Sequence, residues 1–350
     1  MNKFIPIIDL FAGPGGLGEG FSVFQRDKKQ PFKIKLSIEK DPVAHQTLLL
    51  RSFFRQFSRD SVPDSYYRYI RREITKEMLF ANNKEHADKA KHEAWCAELG
   101  ERKEYPNKLV DRRIASALGR PKPKNWVLIG GPPCQAYSLV GRSKMKANPD
   151  FENDPRHFLY KEYLRIIAKH RPPVFVLENV KGLLSATVKG ENIFQKILSD
   201  LSNPVKAVAC KKKPALNLGK KAEYVLFSLV KPITDSAVPH PVSFIVESQK
   251  YGIPQARHRL ILLGIRSDLN VMPARLRVCK KAPRMWNVIS DLPPLRSTLS
   301  RTTDSIELWK EAIEGILSTE WLSEMNDQAL KKKIIKSVEK ILKKKQTAGA

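Results

Sequence analysis

The stretch FIPIIDLFAGPGGLGEGF, residues 4–21, indicates how the chain begins to fold. It opens with a short apolar run, Phe4–Phe11, that stops at glycines, as a buried strand does. Three glycines then follow in the G-x-G-x-x-G spacing: Gly13, Gly15 and Gly18. Glycines let a backbone turn sharply and approach a ligand closely, and the helix expected to begin near Leu17 has an electropositive N-terminus. The stretch therefore predicts a strand, a ligand-binding loop and a helix.

A second strand, FKIKLSIEKD at residues 32–41, carries an acidic residue near its end. This residue, Glu39, follows Gly18 by 21 positions. In dinucleotide-binding folds, an acidic residue about 20 positions after the glycines binds the ribose hydroxyls. The combination favours an adenosine-containing cofactor over an ordinary tight strand-to-helix turn with a surface glutamate.

Residues 58–122 have a different character, because they are polar, charged and mostly helical. We interpret them as a helical insertion, with strand character returning only at Asn125. The insertion contains His86, His92 and Cys96, which could be metal ligands, but surface positions on helices explain them better. No metal site is expected.

Strands and helices alternate again beyond the insertion. The predicted strands are residues 125–131, 171–180, 222–230, 242–248 and 259–266, and the predicted helices include 43–57, 157–170 and 192–201. This alternation favours an α/β fold with a mainly parallel, doubly wound sheet. Ligands bind such sheets outside the carboxyl ends of the strands, so the glycine loop, Glu39, the loop at Cys134 and Glu178 are expected to form one site.

The overall composition indicates a polyanionic partner. There are 63 Lys and Arg residues against 36 Asp and Glu, which gives a formal net charge of +27 and a pI near 9.9. Such a charge favours nucleic-acid binding over a merely solvated basic surface. The four cysteines are far apart and form no CxxC pair, which argues against zinc and against a disulfide framework. No run of about 18 apolar residues and no signal-peptide pattern occurs, so we expect a soluble cytoplasmic protein with no membrane partner.

The segment GGPPCQAYS, residues 130–138, places Cys134 directly after two prolines. A thiol that only filled space in a core would not need two stiff residues before it. Alone, Cys134 could still be a buried core thiol. Its position after a predicted strand instead suggests a nucleophile.

Four segments in order resemble the cytosine-C5 DNA methyltransferases of restriction-modification systems: DLFAGPGGLGEGF, GGPPCQAYS, LENV and YGIPQARHRL. The resemblance covers roughly residues 4–295, and DLPPL at 291–295 also fits it. It implies a Rossmann-like methyltransferase fold that uses S-adenosyl-L-methionine as the cofactor and double-stranded DNA as the partner. The expected reaction is methylation of cytosine C5.

The resemblance also implies catalytic roles. Cys134 would add to C6 of a flipped cytosine, which turns C5 into a nucleophile, and Glu178 would hold or donate a proton at N3. Arg257 and Arg259 alternate across a strand with His258, so both could face the site. One would reach cytosine O2, and the other would orient Glu178 or contact the phosphate backbone.

The remaining expected contacts fall into two sets. The cofactor-binding residues implied by the resemblance are Phe11, Ala12, Gly13, Gly15, Gly16, Leu17, Glu39 and Pro132. The substrate-binding residues are Gln135, Ser138 and Gln255, of which Gln255 would fix the arginine loop.

The sequence departs from the family pattern in three places. The acidic residue that binds the adenine amino group is obscured by the insertion, with Asp60 and Asp64 as candidates. Tyr137 replaces a phenylalanine of the cysteine motif, which should be tolerated. After Leu295 only 55 residues remain, and no target-recognition domain or closing motif is recognisable among them.

These departures set the expected domain organisation. A catalytic domain is predicted at residues 1–295, followed by a helical, Lys-rich segment at 296–350. The stretch Lys331–Lys345 holds eight lysines and either lies along DNA phosphates or is simply solvated. Target recognition would then come from a further domain or a second subunit.

Two other functions remain open at this point. The chain could methylate cytosine in RNA, because a related branch of the family has a similar core. It could also be a DNA-binding or assembly subunit that needs a partner chain for activity. Intact Cys134, Glu178 and paired arginines favour the enzyme, since a pure binding module has no use for them.

Overall fold

The computed structural model describes residues 4–27, 29–101, 103–133, 159–188, 191–209, 222–231, 241–279, 281, 283–292, 295–299, 302–343 and 347–348. The chain forms two compact units, residues 1–282 and 283–350. The extension of the catalytic domain to Leu295 stays a prediction.

Twelve strands occur among the described residues. They are β1 (Ile5–Leu10), β2 (Phe32–Glu39), β3 (Ala94–Cys96), β4 (Val127–Gly130), β5 (Val174–Val180), β6 (Thr187–Val188), β7 (Glu191–Asn192), β8 (Tyr224–Phe227), β9 (Ile245–Glu247), β10 (His258–Arg266), β11 (Leu295–Arg296) and β12 (Thr347–Ala348). The main sheet has the order β3-β2-β1-β4-β5-β10-β8, and β9 pairs with β10. The first five strands of this order are parallel, whereas β10 runs antiparallel to its neighbours. The expected mainly parallel α/β sheet is therefore confirmed.

Helices connect and cover these strands. They are α1 (Gly16–Val23), α2 (Pro42–Phe54), α3 (Asp64–Ile70), α4 (Lys76–Asn82), α5 (Lys84–Glu93), α6 (Asn107–Leu118), α7 (Leu159–His170), α8 (Ile193–Ser202), α9 (Pro204–Val208), α10 (Trp286–Ile289), α11 (Ile306–Glu314), α12 (Glu320–Ser323) and α13 (Gln328–Leu342). None of the helices in the described ranges is both long and apolar enough to cross a lipid bilayer.

Apolar side chains cover both faces of the sheet. Successive residues of a strand point to opposite faces. On β1, Ile7 therefore joins one buried cluster with Ile34 and Ile129, while Ile8 joins another that includes Leu36 and residues of α7. A strand buried on both faces reads as a continuous apolar run, which is why β1 was recognisable from the sequence.

Strand β3 was not foreseen, and the expectation that strands return only at Asn125 is wrong. Its three residues pair in parallel with the end of β2, with Cys96 opposite Glu39. The segment AWC is too short to show a period, and it follows the charged helix α5 directly. Part of the predicted insertion therefore belongs to the sheet, and the chain after β3 reaches its carboxyl edge.

The order of the strands creates a switch point. From β1 the chain runs to β2 on one side, and β4 later adds on the other side. Ligands bind parallel sheets at such points, outside the carboxyl ends of the strands. The loops that follow β1 and β4 are therefore the places where a site is expected.

The second unit contains α11, α12 and α13, which lie within the Lys-rich segment 296–350. Its buried side chains include Trp309, Leu322 and Val338. Arg296 pairs with Asp304 at 2.7 Å. Most lysines of α13 point into solvent.

Candidate functional site

The loop after β1 holds an unusual backbone conformation. Phe11, Gly13 and Gly15 all have positive φ values, of 54°, 55° and 89°. At Gly15 a side chain would also collide, because an added Cβ would lie 2.9 Å from Leu48 Cδ1. The Ala12 amide donates a hydrogen bond to Ile38 O at 3.0 Å, which ties the loop to β2. The glycines thus allow a turn that other residues would strain.

Glu39 joins the glycine loop to the end of β2. Its Oε2 accepts a hydrogen bond from the Gly13 amide at 2.7 Å, and its Oε1 accepts one from the Asp41 amide at 2.8 Å. The predicted acidic partner of the glycine loop therefore lies directly beside that loop.

A cleft of about 280 Å³ opens next to Glu39. Its lining residues come from the end of β2, from the segments that follow β1, β2, β3 and β4, and from the start of α7, and they are Phe11, Ile38, Glu39, Lys40, Asp41, Ala97, Leu99, Gly131, Pro133 and Leu159. Apolar side chains beside a carboxylate fit a ligand that has a flat apolar base and ribose hydroxyls. The residues that line the cleft therefore fit an adenosine-containing cofactor.

The other predicted cofactor residues surround this cleft without lining it. Gly16 begins α1, and the partly buried Leu17 packs against the cluster around Ile7. Pro132 is followed by Pro133, which does line the cleft.

The candidates proposed for adenine recognition lie elsewhere. Asp60 belongs to a 3₁₀ turn, and Asp64 begins α3, where its carboxylate lies 3.9 Å from Arg71. Neither lines the cleft, which is instead reached by the residues flanking Glu98 after β3. The Glu98 carboxylate lies 2.8 Å from Lys40 Nζ. The sequence did not point to Glu98, because it did not predict the strand β3 that precedes it.

Glu178 and Arg259 form an ion pair at the end of β5. Arg259 Nε lies 2.8 Å from Glu178 Oε1, and both side chains are only partly exposed. The pairing of β10 with β5 explains the contact, because Ile261 lies opposite Glu178 and Arg259 is two residues away on the same face. That one arginine orients Glu178 stays a prediction, and this ion pair is the contact that it requires.

The loop after β4 begins against Glu178. Glu178 Oε2 lies 3.1 Å from the position that a Cβ on Gly131 would occupy. Asn179 Nδ2 donates a hydrogen bond to Pro132 O at 3.2 Å, which fixes the start of the loop to β5. Cys134, Gln135 and Ser138 follow and lie outside the described residues.

Gln255 and Arg257 of the arginine motif are exposed. Arg257 closes the loop through its carbonyl, which accepts a hydrogen bond from the Ser248 amide at 3.0 Å, and its amide donates to Gln255 O at 2.9 Å. The loop is therefore held by backbone contacts. Among described residues no carboxylate pairs with the Arg257 side chain, which leaves it available for an anionic ligand.

The histidines of residues 58–122 do not assemble with Cys96. His86 stacks on Phe57 at 4.2 Å, and His92 contacts Arg113. Within the described ranges no cluster of three or more potential metal ligands occurs.

A buried carboxyl group lies beneath α1. Asp9 is 1% exposed, and its oxygens have no hydrogen-bond partner among the described residues. An added Cβ on Gly18 would lie 2.8 Å from Asp9 Oδ2, so the helix approaches this carboxyl closely. Burial, opposed by Arg55 and reinforced by Glu39, raises the pKa of Asp9 to about 8. The folded protein therefore holds a neutral Asp9 at neutral pH.

This pKa predicts how stability depends on pH. Between the ordinary carboxyl pKa near 4 and about 8, the folded chain binds a proton that the unfolded chain has released, so stability falls as pH rises. We expect Asp9→Asn to match the wild type near pH 4 and to exceed its free energy of unfolding by a few kcal/mol at pH 8. Denaturant unfolding at both pH values measures this, with the exposed Asp64→Asn as control. A pH-independent difference would contradict it.

Comparison with known proteins identifies the family. Residues 101–204 and 241–349, more than half of the chain, match the family described as C-5 cytosine-specific DNA methylase. The chain belongs to this family. The match extends past Leu295, so the family region includes the C-terminal helices that the resemblance had left out.

Individual relatives cover the chain to different extents. A type II methyltransferase of Bacillus paralicheniformis is 30% identical over 309 residues, which are 83% of this chain and 61% of that protein. A DNA (cytosine-5-)-methyltransferase of Aeropyrum pernix is 33% identical over 41% of this chain and 27% of its own length. The structure of an Entamoeba histolytica methyltransferase aligns with a TM-score of 0.43 and 16% identity, over 90% of this chain and 67% of that one. The chain thus spans about three fifths or less of the curated relatives named here.

Proposed function

We propose that this chain transfers a methyl group from S-adenosyl-L-methionine to C5 of cytosine in double-stranded DNA. The observation that carries the proposal is the Glu178–Arg259 pair, which lies against the first residue of the Cys134 loop. The same sheet edge holds the cleft beside Glu39. A nucleophile loop, an oriented carboxylate and a nucleoside-shaped cleft are the parts that this reaction needs.

The proposed chemistry begins with the base outside the duplex, because the target atoms are inaccessible within the base stack. The Cys134 thiolate adds to C6, and Glu178 holds a proton at N3 so that charge does not accumulate on the ring. Arg259 keeps the Glu178 carboxylate aimed at the base. The cofactor, when bound, supplies an electrophilic methyl group, which C5 takes. A water molecule then takes the C5 proton, the C5–C6 double bond forms again, and the C6–S bond breaks so that Cys134 leaves as the thiolate.

The binding of the cofactor would use the glycine loop and Glu39. Phe11 and Leu99 would contact the adenine, and the Glu39 carboxylate would accept hydrogen bonds from the ribose hydroxyls. The Glu98 carboxylate, which lies 2.8 Å from Nζ of the cleft residue Lys40, would serve the adenine amino group. Glu39 would then bind the ribose as well as the Gly13 amide.

We expect Glu39→Gln to weaken S-adenosylmethionine binding about tenfold to a hundredfold, because a charged hydrogen-bond acceptor contributes about 1.5–3 kcal/mol. Glutamine keeps one acceptor oxygen for the Gly13 amide. Isothermal titration measures the affinity. Glu101→Gln is the matched control, since Glu101 also accepts backbone amides in a loop but lies outside the cleft. Equal affinity in wild type and Glu39→Gln would remove Glu39 from the site.

Duplex DNA is the proposed partner, and the bacterial cytoplasm is the proposed location. We also propose that target recognition is completed by a further domain or a second subunit.

A further inference from the structure

A second groove lies at the opposite edge of the main sheet from the candidate site. Its volume is about 680 Å³, and it is formed where β4 and β5 begin and β10 ends. Strand β5 has seven residues, so about 20 Å separates this groove from the carboxyl edge. Five cationic side chains line it, namely Lys122, Lys124, Lys169, Arg171 and Arg266, and none of its described lining residues is acidic.

Two of these cations have structural partners. Lys122 Nζ donates a hydrogen bond to His170 O, and Arg266 Nη1 donates one to Arg171 O at 2.9 Å. These carbonyls end α7, so the two side chains cap the helix. Arg266 also pairs with Asp268 at 2.6 Å, outside the groove lining.

The other three cations carry uncompensated charge. Among the described residues no carboxylate pairs with Lys124, Lys169 or Arg171. Asp111, a half-buried acid on α6, already contacts His170 Nε2 at 3.0 Å and Arg165 Nη1 at 2.9 Å. The groove therefore has more positive charge than its structural roles require.

The Lys122 amine is affected first by burial and then by the neighbouring positive charges. Partial burial, followed by repulsion from Arg266 and Arg171, lowers the pKa of Lys122 to about 8. An anion in the groove would relieve this repulsion, because a nearby opposite charge favours the protonated amine.

We propose that this groove binds the phosphate backbone of a duplex DNA segment other than the one that enters the candidate site. The end of α7 offers carbonyl groups rather than amide donors, so the groove lacks the backbone cradle that holds a small phosphate. Its free donors are long side chains from two separate segments along an open edge. Such contacts suit a phosphate backbone, which they hold without reading sequence.

The first test measures how DNA affinity depends on salt. Each lost phosphate contact reduces the slope of log affinity against log salt by about 0.9. We expect Lys124→Gln/Lys169→Gln to reduce this slope by about 1.8 with a mixed-sequence duplex. Lys84→Gln/Lys108→Gln makes the same charge change at exposed lysines outside the groove and should leave the slope unchanged. Equal slopes for both double variants would overturn the proposal.

The second test locates the contact directly. Amine-specific labelling followed by mass spectrometry should show that duplex DNA protects Lys124 and Lys169 but leaves Lys84 accessible. Pyrophosphate at matched phosphate concentration should protect them less. Protection by pyrophosphate without protection by the duplex would make the groove a small-anion site and would contradict the proposal. Neither readout needs methyl transfer, so failure here is distinguishable from failure of the proposed enzymatic function.

Discussion

Replacement of Glu178 by glutamine is expected to lower the rate of methyl transfer by about a hundredfold to ten-thousandfold. Glutamine preserves the size of the side chain and can still contact Arg259, whose Nε lies 2.8 Å from the carboxylate in the wild type. It cannot hold a titratable proton at the base. The loss should therefore fall on kcat while S-adenosylmethionine binding and the melting temperature remain unchanged.

Three further variants make this prediction more specific. Glu223→Gln changes an exposed carboxylate at the opposite end of the sheet and should leave kcat unaltered. Arg259→Gln should lower kcat by acting through Glu178. The double variant should then lose less than the product of the two single effects, since the two residues act as one unit. An unchanged kcat in Glu178→Gln would exclude the proposed proton-holding role.

Replacement of Cys134 by serine is expected to reduce methyl transfer to background. A cysteine thiol is a few per cent ionised at pH 7 and is strongly nucleophilic, whereas a serine hydroxyl needs an adjacent base to act. The substitution is small, so cofactor binding and folding should persist. Radiolabelled methyl transfer to duplex DNA measures the loss, with Cys279→Ser as control because Cys279 is exposed. Residual transfer near the wild-type rate would show that the thiol does not attack the base.

Much of the fold could be predicted because several of its strands are short apolar runs in the sequence. Strand β1 and the glycine loop are clear in FIPIIDLFAGPGG, and β5 is clear in VFVLENV. Strand β3 was not predicted, because three residues are too few to show a periodic pattern. For the same reason the sequence analysis did not predict that Ala97 and Leu99, which flank Glu98, would line the cleft. Edge strands this short are defined by pairing with a neighbour, which no local pattern shows.

The candidate site was predictable only in part for a similar reason. The pairing of Arg259 with Glu178 follows from the antiparallel register of β10 on β5. From the sequence, a contact with Glu178 was only one of the roles proposed for Arg257 and Arg259. Asp9 stood inside an apolar run, so its burial without a hydrogen-bond partner depended on how closely α1 approaches. The basic groove combines residues from three distant segments, which only the folded sheet brings together.

The central claim is that Cys134 forms a covalent bond to cytosine C6, and one measurement tests it most directly. The chain is incubated with S-adenosylmethionine and duplex DNA that carries 5-fluorocytosine, whose C5 fluorine cannot be eliminated after methyl transfer. Denaturing electrophoresis and mass spectrometry should then find a protein–DNA adduct on the peptide that contains Cys134, and Cys134→Ser should form none. An adduct that persists in Cys134→Ser, or a wild-type adduct on another residue, would contradict the account.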